Sequence, residues 1–395
     1  MALFISRYIA THVIIGEVVE RVSQMKKVLY VTTVSGTISF LTDQILYLFD
    51  EGYLVDIACR VTGDINRDIL AKGCVVYDVS FRRSPLTLDN LRAVKQLRQI
   101  IQNNGYDVVH VHTPIAAAIA RYVCKNIPKI KVMYTAHGFH FYKGAPLLNW
   151  LVYYPVERYF ARHTDILITI NKEDYVRARN FKAKNTVYVP GVGVDVHRFE
   201  NVVIDRQQER LELGLPLDSI VLLSVGELNS NKNHEVVIKA LAQLRDKGVY
   251  YLVCGRGSKE AYLKELAERL GVGEQVRLLG YRKDIERICA LADVFVFPSF
   301  REGLSVALME AMASGLPVIC SNIRGNVDLI HDGQGGILVK RNSPEEYCQA
   351  IKTLINDELL RETLGSFNKK AVKPFGKEEV KLRMAGVFQM IEKNL

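Results

Sequence analysis

The sequence predicts an α/β chain built from two doubly wound parallel sheets in tandem, and three observations carry that reading. At 395 residues the chain exceeds what one ordinary hydrophobic core organises. Brief β-branched runs alternate with longer helical patterns throughout. A Pro- and Gly-containing stretch, VPGVGVDVHRF at 189–199, breaks that rhythm once before it resumes.

The elements follow in order. Residues 1–24 form an apolar start broken by Arg7, His12 and Glu17, without a small-residue cleavage site, and read as an extension ahead of a strand-first domain opening at Met25. KVLYVTT, YLVDIAC, GCVVYDV, DVVHVH, KVMYTA and DILITI are short, apolar and edged by polar residues or Gly, as strands are. Helical patterns at 87–104 and 114–126 lie between them, so right-handed βαβ units are expected over 25–195. SIVLLSVG, VYYLVCG, VRLLG, DVFVFP and PVICS repeat the pattern over 196–376. A last helix near 377–394 is long enough to return across the hinge. Ligands of such sheets bind beyond the carboxyl ends of the strands, so the loops after each strand should carry the chemistry.

Composition narrows the class. Apolar residues make up 49% and charged residues 24%, a globular balance. Residues 1–195 hold 24 Lys/Arg against 16 Asp/Glu, while the remainder is nearly balanced at 28 against 27. The basic excess therefore belongs to the first domain, which suits a phosphorylated or anionic-lipid partner; nucleic acid is a reading of the charge alone. Seven cysteines occur singly without a CxxC pair, so buried, reduced thiols are expected. No apolar run approaches the ~18 residues of a membrane helix.

SFREGLSVALMEAMASGLPVIC at 299–320 places two carboxylates among small and apolar residues. Ser305 can cap a helix that ends before Gly315 and Pro317, leaving Glu302 in the preceding loop and Glu310 in the second turn. The eight-residue separation puts the two roughly 80° apart on a helical wheel, so one helix face does not explain the pair. Ala307, Leu308, Ala311 and Met312 surround Glu310. A buried carboxylate there needs hydrogen-bond donors, and a sugar diol offers two. The helix start at Gly303, Leu304 and Ser305 presents free N–H groups and a positive dipole end, suited to phosphate oxygens. Lys232 in GELNSNKNH is the nearby cation.

The Glu-x7-Glu spacing at 302 and 310 inside PSFREGLSVALMEAMASGLPVI, with SVGELNSNKNH, the CGRGS turn at 254–258 and VRLLGYRKDIERICALADVFVFPS, resembles glycosyltransferase family 4. The resemblance runs from Met25 to the end and is strongest over 220–340. It implies the GT-B fold, two Rossmann-like domains facing a cleft, and a retaining, metal-independent transfer of a hexose or N-acetylhexosamine from a nucleotide sugar, UDP-linked. It further implies that Glu310 binds the donor ribose, Glu302 lies near the donor sugar, and the Gly303, Leu304 and Ser305 amides face a diphosphate neutralised by Lys232. The nucleobase would lie near Tyr281 and Arg282. Where many relatives carry Arg after the glycine, this chain has Glu227, so either Lys232 and the helix dipole suffice or a basic residue from the first domain, Lys143 or Arg82, helps.

The first domain contributes YTAHGFHFYKGAPLLNWLVYYPVER. His137 resembles the family's active-site histidine, with His140 second; His110 and His112 read as structural. Phe139, His140, Tyr142 and Lys143 lie among aromatics and basic residues suited to a lipid-phosphate headgroup or membrane interface. The segment resembles that of bacterial enzymes extending undecaprenyl-diphosphate-linked sugars in capsule, exopolysaccharide or glycan assembly. This implies a lipid-linked saccharide acceptor and a cytoplasmic location, peripheral on an anionic membrane face. Gly36 in SGTISF fits the family's small-residue loop near the donor phosphate. No Asp-x-Asp, His-x-x-x-His or Cys cluster suggests a metal site. Two alternatives remain: an epimerase of the same fold acting on a UDP-sugar, and, because of Glu227, a non-catalytic sugar-binding partner. A nicotinamide dehydrogenase is disfavoured because no GxGxxG follows the first strand of either half.

Overall fold

The computed structural model describes residues 26–84 and 87–393; the extension expected at 1–24, and Met25, lie outside them. The first sheet comprises β1 (Lys27–Val34), β2 (Leu54–Arg60), β3 (Val76–Asp78), β4 (Val108–His112), β5 (Lys131–Ala136), β6 (Ile166–Thr169) and β7 (Asn185–Tyr188). The second comprises β8 (Ile220–Val225), β9 (Val249–Cys254), β10 (Val276–Gly280), β11 (Val294–Phe297), β12 (Val318–Ser321) and β13 (Gly336–Val339). The strand orders are β3-β2-β1-β4-β5-β6-β7 and β10-β9-β8-β11-β12-β13, with every pairing parallel. Each order reverses at one point, β1/β4 and β8/β11, and a crevice opens there at the carboxyl ends.

Both sheets are covered on both faces, which is why their central strands read as nearly unbroken apolar runs. In β1, Leu29 and Val31 join one core cluster while Val28 and Tyr30 join another. Val221 and Leu223 of β8 likewise face one side and Leu222 the other. Two strands escape the sequence reading, β7 and β13. They are four residues each, lie at sheet edges and are only partly buried, so their apolar signal is weak.

The segment 189–199 joins the two sheets. Gly193 sits at φ +86°, and a Cβ there would come within 2.8 Å of the Lys377 Cα. Glycine is needed for that approach, because Lys377 N donates to Val194 O at 2.9 Å and Val194 N donates to Phe375 O at 3.0 Å. The chain thus crosses between the domains twice, side by side. Beyond the second crossing, helix Lys377–Glu392 buries Val380, Met384, Val387, Phe388 and Ile391 against the Val28 and Tyr30 face of the first sheet. Their spacing makes a single helical stripe. Lys377 Nζ reaches Asp43 at 2.8 Å and Lys26 reaches Glu392 at 3.2 Å, fixing both ends. Six cysteines are buried and Cys348 is half-buried; burial pushes the Cys59 and Cys124 thiols up to about 12, which keeps them protonated and inert.

Candidate active site

Helix Val306–Ala313 is capped by Ser305, whose Oγ accepts from Leu308 N at 3.4 Å, and the chain turns out of it at Gly315 with φ +78°. Leu308, Met309, Ala311, Met312 and Ala313 bury it in the second domain. Its remaining first-turn N–H groups have no partner within the helix, and Gly303, Leu304, Ser305, Val306 and Ala307 line the space between the domains. That space is a cavity of about 1210 Å³, lined from the first domain by Thr37, Phe40, Thr113 and His137 and from the second by the residues described next.

Lys232 Nζ donates to Glu302 Oε1 at 2.8 Å and lies 4.5 Å from the centre of the Phe297 ring. Three glycines make the approach possible. Gly226 leaves room for the Lys232 stem, within 3.1 Å of where a Cβ would stand. A Cβ on Gly255 would strike Gly226 O at 1.8 Å, and one on Gly257 would strike Leu228 O at 2.4 Å. The CGRGS turn is therefore pressed against the loop that carries Lys232. Gly303 does the same across the domain seam, where a Cβ would lie 2.0 Å from His137 O.

Glu310 lines the same cavity one turn further on, and burial raises its carboxyl from 4.5 to about 7, opposed by Arg198 and reinforced by Glu286. Arg198 meanwhile donates to Lys283 O at 2.7 Å and pairs with Glu286 at 2.6 Å. Glu310 thus keeps a hydrogen-bonding edge open to a ligand beside a guanidinium that is already engaged.

His112 Nδ1 lies 3.0 Å from His137 Nε2, and His110 Nε2 lies 2.9 Å from Thr135 Oγ1. Burial lowers His137 to about 4 and His110 to about 3, and pushes His112 well below the usual range. The three imidazoles are neutral at neutral pH. His112 Nε2 is buried without a partner, which an unprotonated nitrogen tolerates better than an orphan N–H. His112 therefore carries its proton on Nδ1 and donates to His137 Nε2. His137 in turn carries its proton on Nδ1 and is a donor there, not a base.

Of the residues singled out from sequence, the cavity gathers His137, Glu227, Lys232, Tyr281, Arg282, Glu302, Gly303, Leu304, Ser305 and Glu310. Arg282 is held by Asp284 through two hydrogen bonds, and Tyr281 is 66% exposed. Others lie elsewhere. Phe139 is buried and stacks on Phe141, because its side chain faces the core while its N–H donates to Asp174. His140 stacks on Tyr153 at 4.6 Å, away from the cavity lining. Tyr142 packs under the Arg324 guanidinium at 4.9 Å. Gly36 does not line the cavity, although Thr37 and Phe40 of its turn do, and a Cβ on it would meet nothing within 4 Å, so no close approach requires glycine there.

Of the alternatives expected for the arginine missing at Glu227, help from Lys143 or Arg82 is corrected. Lys143 is exposed and outside the cavity, and Arg82 is tied at the surface to Asp89 at 2.6 Å. Among the described residues the cations facing the cavity are Arg198, Lys232, Arg256, Arg282 and Lys283, all from beyond residue 195. The basic excess of the first half therefore does not account for the charge at the cavity. Arg256 had a signal in the CGRGS turn; Arg198 had none, since only tertiary folding brings the crossing segment beside Glu310. Among the described residues no group of three His, Cys, Asp or Glu could hold a metal ion.

Comparison with known proteins places this geometry. The family profile "Glycosyl transferases group 1" matches residues 205–371, and "Glycosyl transferase 4-like" matches residues 27–171. EpsD of Bacillus subtilis (strain 168), named a glycosyltransferase, is 38% identical over 319 residues, covering 79% of this chain and 84% of that protein. A UDP-Gal:alpha-D-GlcNAc-diphosphoundecaprenol alpha-1,3-galactosyltransferase of Escherichia coli is 26% identical, covering 79% and 82%. Among solved structures, Anabaena Alr3699/HepE in complex with UDP and glucose aligns with a TM-score of 0.77 at 21% identity, over 92% of this chain and 100% of that one, a likeness of fold. The chain belongs to the group 1 glycosyltransferases, a transferase with a 4-like first domain on the GT-B fold.

Proposed function

We propose that this enzyme transfers a hexose or N-acetylhexosamine, with retention and without a metal ion, from a UDP-sugar to a lipid-diphosphate-linked saccharide at a membrane face. The observation that carries the donor half is the alignment in one cavity of Glu310, the amide-lined start of helix Val306–Ala313, the Lys232–Glu302 pair and His137. Read in that order, the four suit a ribose, a diphosphate, the sugar's hydroxyls and the sugar's far side. As the diphosphate leaves, negative charge develops between the helix start and Lys232, where fixed N–H groups and a cation stabilise it without reorganisation. The acceptor hydroxyl approaches from the same face, and the departing phosphate takes its proton. His137 donates a hydrogen bond from Nδ1 and holds the sugar. The UDP and glucose bound by Alr3699/HepE support the choice of donor.

The acceptor half rests on helix Leu147–Ala161. Leu147, Leu148 and Leu151 are 80%, 68% and 74% exposed, and Val152, Val156 and Tyr159 continue the apolar surface. Arg158 and Arg162 stand among them, while the helix's one acid, Glu157, is buried against Arg121 at 2.8 Å. An apolar face bordered by cations suits insertion at an anionic lipid surface. No helix among the described residues is long and apolar enough to cross a membrane. The diphosphoundecaprenol in the name of the Escherichia coli relative supports the acceptor class.

The test is a thermal-shift panel of UDP, GDP and ADP sugars, since a ligand bound to the folded chain raises its melting temperature. UDP-sugars should shift it and the others should not; a shift with GDP- or ADP-sugars alone would refute the donor assignment. Flotation with anionic vesicles, lost in Leu148→Ser/Leu151→Ser, tests the membrane face.

A further inference from the structure

Arg324 lies in the loop between β12 and helix Asn326–Leu329, outside the cavity lining, yet almost every donor on its guanidinium is committed. Nη1 donates to Asp174 Oδ1 and to Phe139 O, both at 2.9 Å and both in the first domain. Nε and Nη2 donate to the backbone carbonyl of Glu302, each at 3.2 Å, in its own domain. The Arg324 side chain is 3% exposed and that of Asp174 is 0%. The other Asp174 oxygen accepts from Phe139 N at 2.9 Å and Asn171 Nδ2 at 2.8 Å, so the carboxylate is fixed before Arg324 arrives. A second bond parallels the ion pair, from Lys172 N to Asp328 Oδ2 at 2.9 Å.

The backbone around this pair leaves no slack. A Cβ on Gly325 would lie 2.2 Å from Gly303 O, one on Gly303 would lie 2.0 Å from His137 O, and one on Gly138 would lie 3.1 Å from Arg324 Nη2. Three glycines from both domains meet where the Glu302–Gly303 turn touches His137. A burial this complete for a charge pair on a seam between domains is costly unless geometry and hydrogen bonding are full, as they are here. The planar fork of arginine reaches three carbonyl or carboxylate acceptors at once, which a lysine ammonium on its flexible stem cannot do in the same geometry.

We propose that Arg324 is a positioning residue that, seated across the domain seam on Asp174, holds the Glu302 carbonyl and so sets the Glu302 carboxylate and the Gly303 turn against His137. The inference rests on the reading that Glu302 faces the donor sugar. The nucleotide end of the cavity, at Glu310 and Tyr281, makes no contact with Arg324. Loss of Arg324 therefore loosens the sugar end of the site and the turn beside the diphosphate, and leaves the ribose and base end intact.

The experiment compares wild type with Arg324→Gln and Arg324→Lys as full chains. UDP binding is measured by calorimetry, UDP release is measured from the UDP-sugar that gives the largest thermal shift, and amide exchange is followed at 303–305 without ligand. In both variants turnover should fall by on the order of a hundredfold, the effect of a misplacement near 1 Å. UDP affinity should fall far less than turnover, by no more than about tenfold, because the 303–305 amides facing the diphosphate loosen while the ribose and base end stays in place. Exchange at 303–305 should quicken. Asp174→Asn should produce the same pattern, and the double variant should lose no more than the worse single one, because the residues act as a unit. Millimolar guanidinium should restore part of the turnover of Arg324→Ala where equal sodium chloride does not. Unchanged exchange, or UDP affinity falling in step with turnover, overturns the proposal. Should wild type bind no UDP, the donor reading fails by itself and the exchange measurement decides the role of Arg324. Should Arg324→Gln not fold, Arg324→Lys, which keeps the charge but not the fork, carries the same readings.

Discussion

With Glu310 in the proposed donor role, donor binding should depend on pH, and the burial of its carboxyl gives the direction. Burial raises its carboxyl from 4.5 to about 7, so near pH 6 roughly one molecule in ten is ionised there and near pH 8 roughly nine in ten. A ribose diol has two O–H donors and binds the ionised form, so donor affinity should strengthen by about tenfold across that window. About half a proton should be released per donor bound near pH 7. In the ligand-free chain the sign is opposite. The folded state holds the proton that the unfolded chain has already lost, so this group's contribution to stability falls as pH rises from about 4.5 to about 7. Glu310→Gln removes the charge, flattens both dependences, and costs donor affinity by about tenfold to a hundredfold through a lost charged hydrogen bond. A UDP-sugar should be used as ligand, because UDP has a terminal phosphate that itself titrates near pH 6. His137, lowered to about 4, stays neutral throughout. Calorimetry in two buffers of different ionisation enthalpy reads both affinity and proton release. Affinity that is flat with pH in wild type, or pH-dependent to the same degree in Glu310→Gln, would refute the assignment of Glu310 to the donor.

Two further outcomes are expected. Lys232→Ala should weaken UDP binding by about tenfold or more, as a lost charge-assisted contact does, without unfolding the chain; wild-type affinity in isothermal titration would remove Lys232 from the diphosphate site. His137→Ala should lower the rate of UDP release more than it lowers donor affinity, and His112→Phe should act the same way by freeing the His137 tautomer. Unchanged turnover in His137→Ala would move attention to His140.

Most of the cavity residues proposed to hold the donor were legible in sequence because they are local. Glu302, Gly303, Leu304, Ser305 and Glu310 are set by one loop and one helix, and the capping residue, the terminating glycine and the helical repeat fix their directions within 22 residues. Lys232 was visible because it follows a strand by a glycine-led loop. The edge strands β7 and β13 were not visible, since half-buried four-residue strands lack a strong alternation. Placing a basic partner in the first domain failed for a different reason. Net charge counts residues and does not say which way they face, and Lys143 and Arg82 face solvent.

What the sequence determined by itself was the two-sheet architecture and the segment joining the sheets, which follow from periodicity and short-range spacing; the roles proposed for the residues facing a nucleotide sugar came from the resemblance of their motifs to a family. Only the tertiary structure decided which groups meet across the gap. Arg198 and Glu310, His112 and His137, and Arg324 and Asp174 are separated by 112, 25 and 150 positions. No local rule couples residues so far apart in the chain. Their approach is set by how two cores dock, by glycines that let backbone touch backbone, and by the burial of a charge pair that is stable only when both domains supply its partners.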